Sequence, residues 1–588
     1  MCVLLASTEG CLPALQGRSG PSAVDSLVAR QQLAEALSQY WRSQLPRRPE
    51  LAMELGYSSN LPTMHGSQSR QGLQLERAVG AQLDDVETEA LSPKEFVLWR
   101  AIRAELNRNA EGTAFSRFDF SPLSLETGTL RVALEFVRRH PLKNESDIER
   151  YLYFLDGLTF WFSDLRTILK ENARRGISPP PAVGLRFAET LDQMRRGALR
   201  EYLALDRGRG AELSDERFAA LSRDHDESIA LRVLPVVDSL AAYLRTTATA
   251  APPSSGLWES PGGKEYYRFL LRANSGLEID PQLAHGAGIA QLRRLDSLLA
   301  AVRRRNGWPV DPRVFHDSLR AEPRYNADLP TVARRLEALI RQAAETDSLF
   351  TRLGGPPATV RVANLSESML YPDGAVLRQG LSDSTPEIVV TERWRSPSVQ
   401  FELTSRTYRW GWPGRALAMS AVARNITVGA FIELHPSAGY WAGWEEYAGA
   451  LAGERGWYRD PLDAYAQLMH EAFSAALLVA ETGFHYFGWS RSQTLAALRP
   501  YTLANGAELD TLLIERIAAT PGRSGVHALA ARELLALRTW MERELGAAFK
   551  LEAWHEEVLS LGPVNLPILA GHLEWWAWDR RRAATPRR

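Results

Sequence analysis

"IERYLYFLDGLTFWFSDLRTILKENARRG", residues 148–176, decides the fold class. Apolar side chains return at helical spacing along it and charged ones fill the gaps, which is the pattern of a long amphipathic helix. Ser146 to Glu149 reads as a capping box at its start, and Gly176 ahead of Pro179-Pro180-Pro181 reads as its stop. Outward from this run the same grammar repeats. Residues 24–44 carry Leu27, Val28, Leu33, Leu37 and Trp41 at helical spacing, and Asp280-Pro281 supplies an N-cap with proline at the first helical position. Strand-like segments are few. Residues 359–362 and 387–391 are the best of them, with "YPDGA" between as a turn. The expected fold is mainly α, a large multi-helix scaffold around a central cleft, with one small β-sheet region at about 358–395.

Five segments follow from composition: a leader without ordered structure over 1–23, an N-terminal helical region over 24–246, a linker over 247–263 ("TATAAPPSSGLWESPGG"), a C-terminal region over 264–580 and a tail over 581–588. No internal repeat of fixed period is present. The chain has 588 residues, 45% hydrophobic and 24% charged, with a net charge of −1. A nearly neutral chain of this kind is not drawn to nucleic acid or to an anionic membrane surface. Cys2 and Cys11 are the only cysteines, which excludes a disulfide framework, a CxxC zinc site and a thiol nucleophile in the body of the chain. "MCVLLASTEGC" raises a lipoprotein reading, but it has no basic n-region and is too short for a signal. The compartment stays open: soluble, and exported only if a start lies upstream. No run of 18 apolar residues predicts a membrane-spanning helix.

"SRTYRWGWPGRALAMS", residues 405–420, places Pro413-Gly414 inside an apolar helical stretch, where both residues cost helix stability unless a bend has a use. The C-terminal third adds three further signatures: Ala442-Gly443-Trp444-Glu445-Glu446-Tyr447, then Gly456-Trp457-Tyr458-Arg459-Asp460, then Glu481-Thr482-Gly483-Phe484-His485 with Gly488-Trp489-Ser490. Together they resemble the bacterial family called domain of unknown function 885, which looks like a branch of the gluzincin zinc metallopeptidases. "PGRSGVHALAARELLALR" and "FKLEAWHEEVLSLGPVNLPIL" are similar to that family's closing segments, and weaker likeness reaches upstream through "HPLKNESDIERYLYFL". The resemblance implies a gluzincin-like scaffold, with residues 264–580 as its peptidase-like part.

It also implies a zinc site, in which two imidazoles and a carboxylate hold the metal and an adjacent Glu takes a proton from bound water. Anchored on Pro413-Gly414, the first His position is Arg409, the general-base Glu is Trp410, the His pair is Arg415 and Ala416, and the third ligand is Ala442. Guanidinium, indole and methyl groups offer a cation no lone pair. Further departures fall where the family suggests substrate contact: Arg523, His527, Ala528 and Glu481. No metal ligand and no cofactor are expected, zinc included.

"LMHEAF", residues 468–473, mimics the start of a zinc helix, but position 474 is Ser, so His470-Glu471 reads as a helix-surface pair. Glu481 and His485 are spaced i, i+4, either as cleft-lining groups or as a structural His with its orienting acid. His435 reads as structural or exposed, His555 lacks a second His at ligand spacing, and Trp575-Trp576 read as core and cleft wall. No serine elbow or phosphate loop is present. The leading expectation is a pseudoenzyme that keeps a cleft for an acidic peptide or carboxylate-bearing small molecule, with Arg409, Arg415, Glu481, His485, Arg523 and His527 as ligand-binding candidates. Internal ion pairs of the arginines with Glu402, Glu445 or Glu446 are the alternative use of those charges. Two other functions stay open: an active hydrolase using Glu481 and His485, and an interaction protein with a vestigial cleft. Oligomeric state is not legible.

Overall fold

The computed structural model describes residues 22–45, 49–54, 60–61, 70–118, 123, 129–250, 256–347, 349–350, 352–353, 355–377, 385–423 and 437–584. His435 lies outside them, as do most of the 1–23 leader and the end of the tail.

Helices dominate, as expected. The run that opens the sequence analysis forms Glu145–Arg174, and Gly176 follows at φ 74°, a left-handed value that suits glycine. Its cap differs from the expectation. Asn144, not Ser146, accepts the hydrogen bond, from the Asp147 backbone N–H, because Asn is as good a cap and stands two residues earlier. Asp280 caps Pro281–Arg305, accepting from the Gln282 N–H at 2.8 Å. The first described helix runs Ala23–Gln44, capped by Ser22 in a reciprocal box with Asp25.

Among the described residues the sheet has three short strands: β1 (Thr359–Val362), β2 (Ala375–Leu377) and β3 (Glu387–Val390). β3 is central, parallel to β1 and antiparallel to β2. Gly374 closes the turn into β2. Its φ is 83°, and a Cβ there would stand 2.6 Å from the Val389 carbonyl oxygen.

Two large apolar clusters organise the interior. One joins Leu33, Ile102 and Leu336 to Trp412, Trp444 and Trp554; the other joins Leu130, Phe162 and Val237 to Phe473, Leu477 and Ile517. Residues from both sides of 247–263 therefore share each cluster. Within that segment, the helix Leu234–Ala250 occupies the start, and Leu257–Glu259 forms a short turn. At the other end, the helix Leu566–Ala584 extends four residues into the tail, with Trp576 in the first cluster and Trp575 packed on it.

Between the clusters lies Pro461–Thr482, buried on every side from Ala472 to Ala480, where Ser474 is the single polar residue. A helix hydrophobic all round is a buried one. It packs along Pro281–Arg305, where Gly288 leaves no room for a side chain: a Cβ would meet Val479 Cγ2 at 2.7 Å. The helix Ala438–Glu454 lies against Val526–Leu545 in the same layer. These buried helices carry the polar groups described next.

Candidate functional site

The segment around Pro413-Gly414 folds as a short helix Leu403–Arg406, a wide π-turn Thr407–Gly411, a break, and the helix Arg415–Ala423. The break is sterically specified. A Cβ on Gly414 would lie 1.8 Å from the Arg409 carbonyl oxygen, so only glycine lets the chain fold back on the π-turn. The Trp412–Pro413 peptide is cis. Trp444 donates its indole N–H to the Pro413 carbonyl at 3.0 Å, and Trp412 donates to Asp347 at 2.8 Å, which ties both sides of the break to neighbouring elements.

This geometry turns Arg409 inward. Its side chain is 4% exposed, its Nε donates to Ser405 Oγ at 3.0 Å and a terminal nitrogen donates to Glu402 Oε2 at 3.2 Å. Gly449 makes room for it, since a Cβ there would stand 3.0 Å from Arg409 Cγ. Glu402 Oε2 also lies 3.4 Å from His470 Nδ1 and 3.7 Å from Arg406. His470 Nε2 meets Glu446 Oε1 at 2.8 Å, and that same oxygen faces His527 Nδ1 at 3.2 Å and accepts from Ser474 Oγ at 3.3 Å. Beyond the break, Arg415 pairs with Glu445 and lies over the Trp441 ring.

Charge settles the protonation of this floor. Burial pushes the Glu402 carboxyl up, but His470, Arg406 and Arg409 outweigh it and hold it at about 2. Glu446 is likewise held well below the carboxylate range, against burial, by His470, His527 and Arg409. Burial and Arg409 oppose a charge on His470, yet Glu446 and Glu402 prevail and raise its pKa. The surface reading of His470 is thus corrected. Its side chain is 13% exposed and is turned onto Glu402 and Glu446.

Glu481 and His485 belong elsewhere. Glu481 is fully buried and accepts the backbone N–H groups of Arg523, Ser524 and Gly525 at 3.1, 3.2 and 2.9 Å. Burial nevertheless raises its pKa to about 7. His485 accepts the Leu257 N–H on Nδ1 at 3.2 Å, contacts the Ile517 carbonyl through Nε2 at 2.9 Å and stacks on Tyr267. Burial lowers its pKa to about 4. Those partners require the neutral tautomer protonated on Nε2. His555 is similarly committed, to the Tyr447 hydroxyl at 2.7 Å.

A cavity of about 940 Å³ opens between the sheet, the π-turn and the 502–527 segment. Arg409, Trp410, Arg415, Arg523 and His527 line it together. Ala416 and Ala442 are buried in the first apolar cluster instead, and Glu481 and His485 stand behind the wall. Among the lining groups, Arg406 and Arg516 were not singled out from sequence, and His470, read there as part of a helix-surface pair, lines the cavity with Ser474 beside it. Among the described residues, no group of three or more His, Cys, Asp or Glu has the arrangement to hold a metal ion. Nor is any described helix long and apolar enough to cross a membrane.

The family model described as "Bacterial protein of unknown function (DUF885)" matches residues 49–573. The fold is similar to that of a solved "putative lipoprotein" from Colwellia psychrerythraea, with a TM-score of 0.81 and 17% identity over 94% of this chain and 99% of that one. It is also similar to a solved "putative lipoprotein of unknown function" from Shewanella oneidensis, with a TM-score of 0.64 and 13% identity over 92% and 98%. No curated protein matches.

Proposed function

The chain belongs to the DUF885 family of bacterial proteins, and from that premise we propose that it is a peptidase-like pseudoenzyme, with zinc binding and hydrolysis lost and a cleft kept for an acidic ligand. One observation carries the reading. Arg409, at the position where the gluzincin resemblance puts a first zinc-binding His, is buried as a guanidinium in a fitted ionic layer with Glu402. The residues there do not suit zinc. Arg409 and Arg415 present permanent positive charge, Trp410, Ala416 and Ala442 present no donor, and His470 is already engaged by Glu446.

The cavity beside this layer is of the size that takes a drug-sized ligand or a short peptide, with apolar surface from Phe473 and Leu477 beside its arginines. An extracytoplasmic setting is part of the proposal, supported by the names given to the two solved neighbours.

A hydrolytic reading has one observation in its favour: Ser474 Oγ stands 3.5 Å from His470 Nε2, and His470 Nδ1 faces Glu402. Against it, Glu446 takes Nε2 at 2.8 Å and also accepts from Ser474. The imidazolium that results is no base for the hydroxyl. Glu481 and His485 are committed to backbone partners, so neither is free to act on a substrate.

Metal analysis of protein purified without chelator, together with a broad peptide-cleavage screen with and without chelator, tests the reading. Substoichiometric zinc and no cleavage are expected. Stoichiometric zinc, or cleavage that chelator abolishes, overturns it.

A further inference from the structure

The cavity wall carries eight arginines against five carboxylates. Most of these charges close on one another. Arg393 pairs with Asp373 at 2.6 Å and with Glu515, Arg395 pairs with Glu392 at 2.6 Å, Arg409 takes Glu402 and Arg415 takes Glu445. Arg131 leans on Tyr371. Apart from Arg131, three guanidiniums have no carboxylate to themselves among the described residues: Arg406, which shares Glu402, and Arg516 and Arg523.

Arg406 is the most telling. Its guanidinium lies against the edge-to-face Trp394–Trp410 pair, 5.2 and 5.5 Å from the two ring centroids. Its only carboxylate neighbour within ion-pair range, Glu402 at 3.7 Å, is already closer to Arg409 and His470. Its Nε is buried with no hydrogen-bond partner. A buried donor left unmade is costly, so a group that is oriented, desolvated and unpaired in a cavity wall marks a ligand contact. The tryptophan pair holds the guanidinium in place without taking its N–H donors, the part that forks onto an oxyanion.

Arg516 and Arg523 come from the facing segment. Arg516 stands close enough to oppose the charge on Arg406 and to favour that on Asp373. Arg523 is presented from a backbone that Glu481 clamps at three consecutive N–H groups. A fixed backbone lowers the entropy lost when the side chain engages a ligand.

We propose that Arg406, Arg516 and Arg523 form the anion subsite of this cavity and that the ligand presents a dianion to it, a phosphate or a pair of neighbouring carboxylates. Arg409 and Arg415 are then structural, and their charge is already spent on Glu402 and Glu445. The inference rests on the pseudoenzyme reading only in treating the cavity as a ligand site.

Calorimetric titration of the full chain at low salt with inorganic phosphate, with succinate and with acetate tests it, in the wild type and in Arg406→Met, Arg516→Met and Arg523→Met. Phosphate or succinate is expected to bind the wild type at least about tenfold more tightly than acetate, and each Met variant to lose about tenfold of that affinity. Arg395→Met, which removes a paired and exposed arginine from the rim, is expected to keep it. Binding of phosphate alone assigns a phosphate ester, and binding of succinate alone assigns a dicarboxylate. Equal affinity for acetate, no binding of either dianion, or undiminished binding in Arg516→Met and Arg523→Met overturns the subsite. Arg516 makes no side-chain hydrogen bond or close ion pair among the described residues, so its variant guards against a folding artefact. If the protein is metal-free and inactive but binds no dianion, the subsite alone fails. If it holds zinc and cleaves peptides, the pseudoenzyme reading fails.

Discussion

Two imidazole–carboxylate neighbourhoods sit on one helical run, about 22 Å apart along its axis, and they titrate in opposite senses. At His470, Glu446 is held ionised and the imidazole is pushed toward its charged form. At His485, burial drives both groups toward neutrality, with the Glu481 carboxyl at about 7 and the imidazole at about 4. The residue types are the same. What differs is the packing around each. His470 faces Glu402 and Glu446 with Arg409 behind them, so each charge has an opposite one to answer it. His485 and Glu481 face backbone groups, which satisfy hydrogen bonds without supplying a counter-charge. A His–Glu pair is thus a site or a strut according to what lies opposite, and its own spacing does not say which.

The sharpest way to break this contrast is to remove a charge from the ionic layer. Glu446→Gln takes the carboxylate from His470 Nε2 and from His527 and leaves Glu402 alone against Arg409 and His470, and removing one partner of a buried charge costs on the order of 3–5 kcal/mol. Denaturant melts at pH 6 are expected to show that loss, and the His470→Gln Glu446→Gln pair to recover part of it. Additive losses would mean that the two side chains do not interact. Gly449→Ala attacks the same layer sterically. Its Cβ meets Gln467 Nε2 at 2.9 Å and Arg409 Cγ at 3.0 Å, and overpacking of this kind costs roughly 1–3 kcal/mol. An unchanged melt would show that Arg409 is not wedged there.

Proton linkage separates the two neighbourhoods further. Glu402 titrates at about 2 in the folded chain against 4.5, so its contribution is complete above pH 4.5 and is lost as pH falls toward 2. His470 is raised above 6.5, so its contribution is complete below pH 6.5 and is lost as pH rises through the folded value. The ionic layer therefore stabilises most between these limits. His470→Gln is expected to flatten the decline above pH 7, where the wild type loses up to about 1.4 kcal/mol per pH unit from this one proton. A decline equal in both proteins would assign it to other groups.

Much of the frame was legible in the sequence, for local reasons. Thr359–Val362 and Glu387–Val390 announce strands through β-branched residues on either side of a Pro-Asp-Gly turn, and Asp280-Pro281 announces a helix start. Glu402 and Glu445 were nameable as partners for the arginines because a buried guanidinium needs a carboxylate. The position of His470 was not legible. Glu446 lies 24 residues away on another helix, so the contact exists only after packing. A signal was present all the same, since Ala472 to Ala480 carry one polar residue, Ser474, which marks the C-terminal part of this helix as buried. The π-turns at 407–411 and 483–487 escaped because each inserts a residue and shifts the angular register on which spacing arguments depend.

The smallest expected effect sharpens the comparison most. Between pH 4.5 and 6.5 the two buried groups near Ile517 work against each other. Glu481 keeps a proton in the folded chain that the unfolded chain gives up, so stability falls with rising pH. His485 rejects a proton that the unfolded chain accepts, so stability rises. The slopes oppose and nearly cancel. His485→Gln removes one of them. Its direct cost is about 1–2 kcal/mol for two disturbed backbone contacts. The decisive readout is the slope: relative to wild type, the variant is expected to lose stability steadily from pH 4.5 to 6.5, and by more than it does above pH 7. A constant offset across that window would mean that His485 takes up its proton in the folded chain as it does in the unfolded one, because the Glu481 slope is common to both proteins and cancels in the difference.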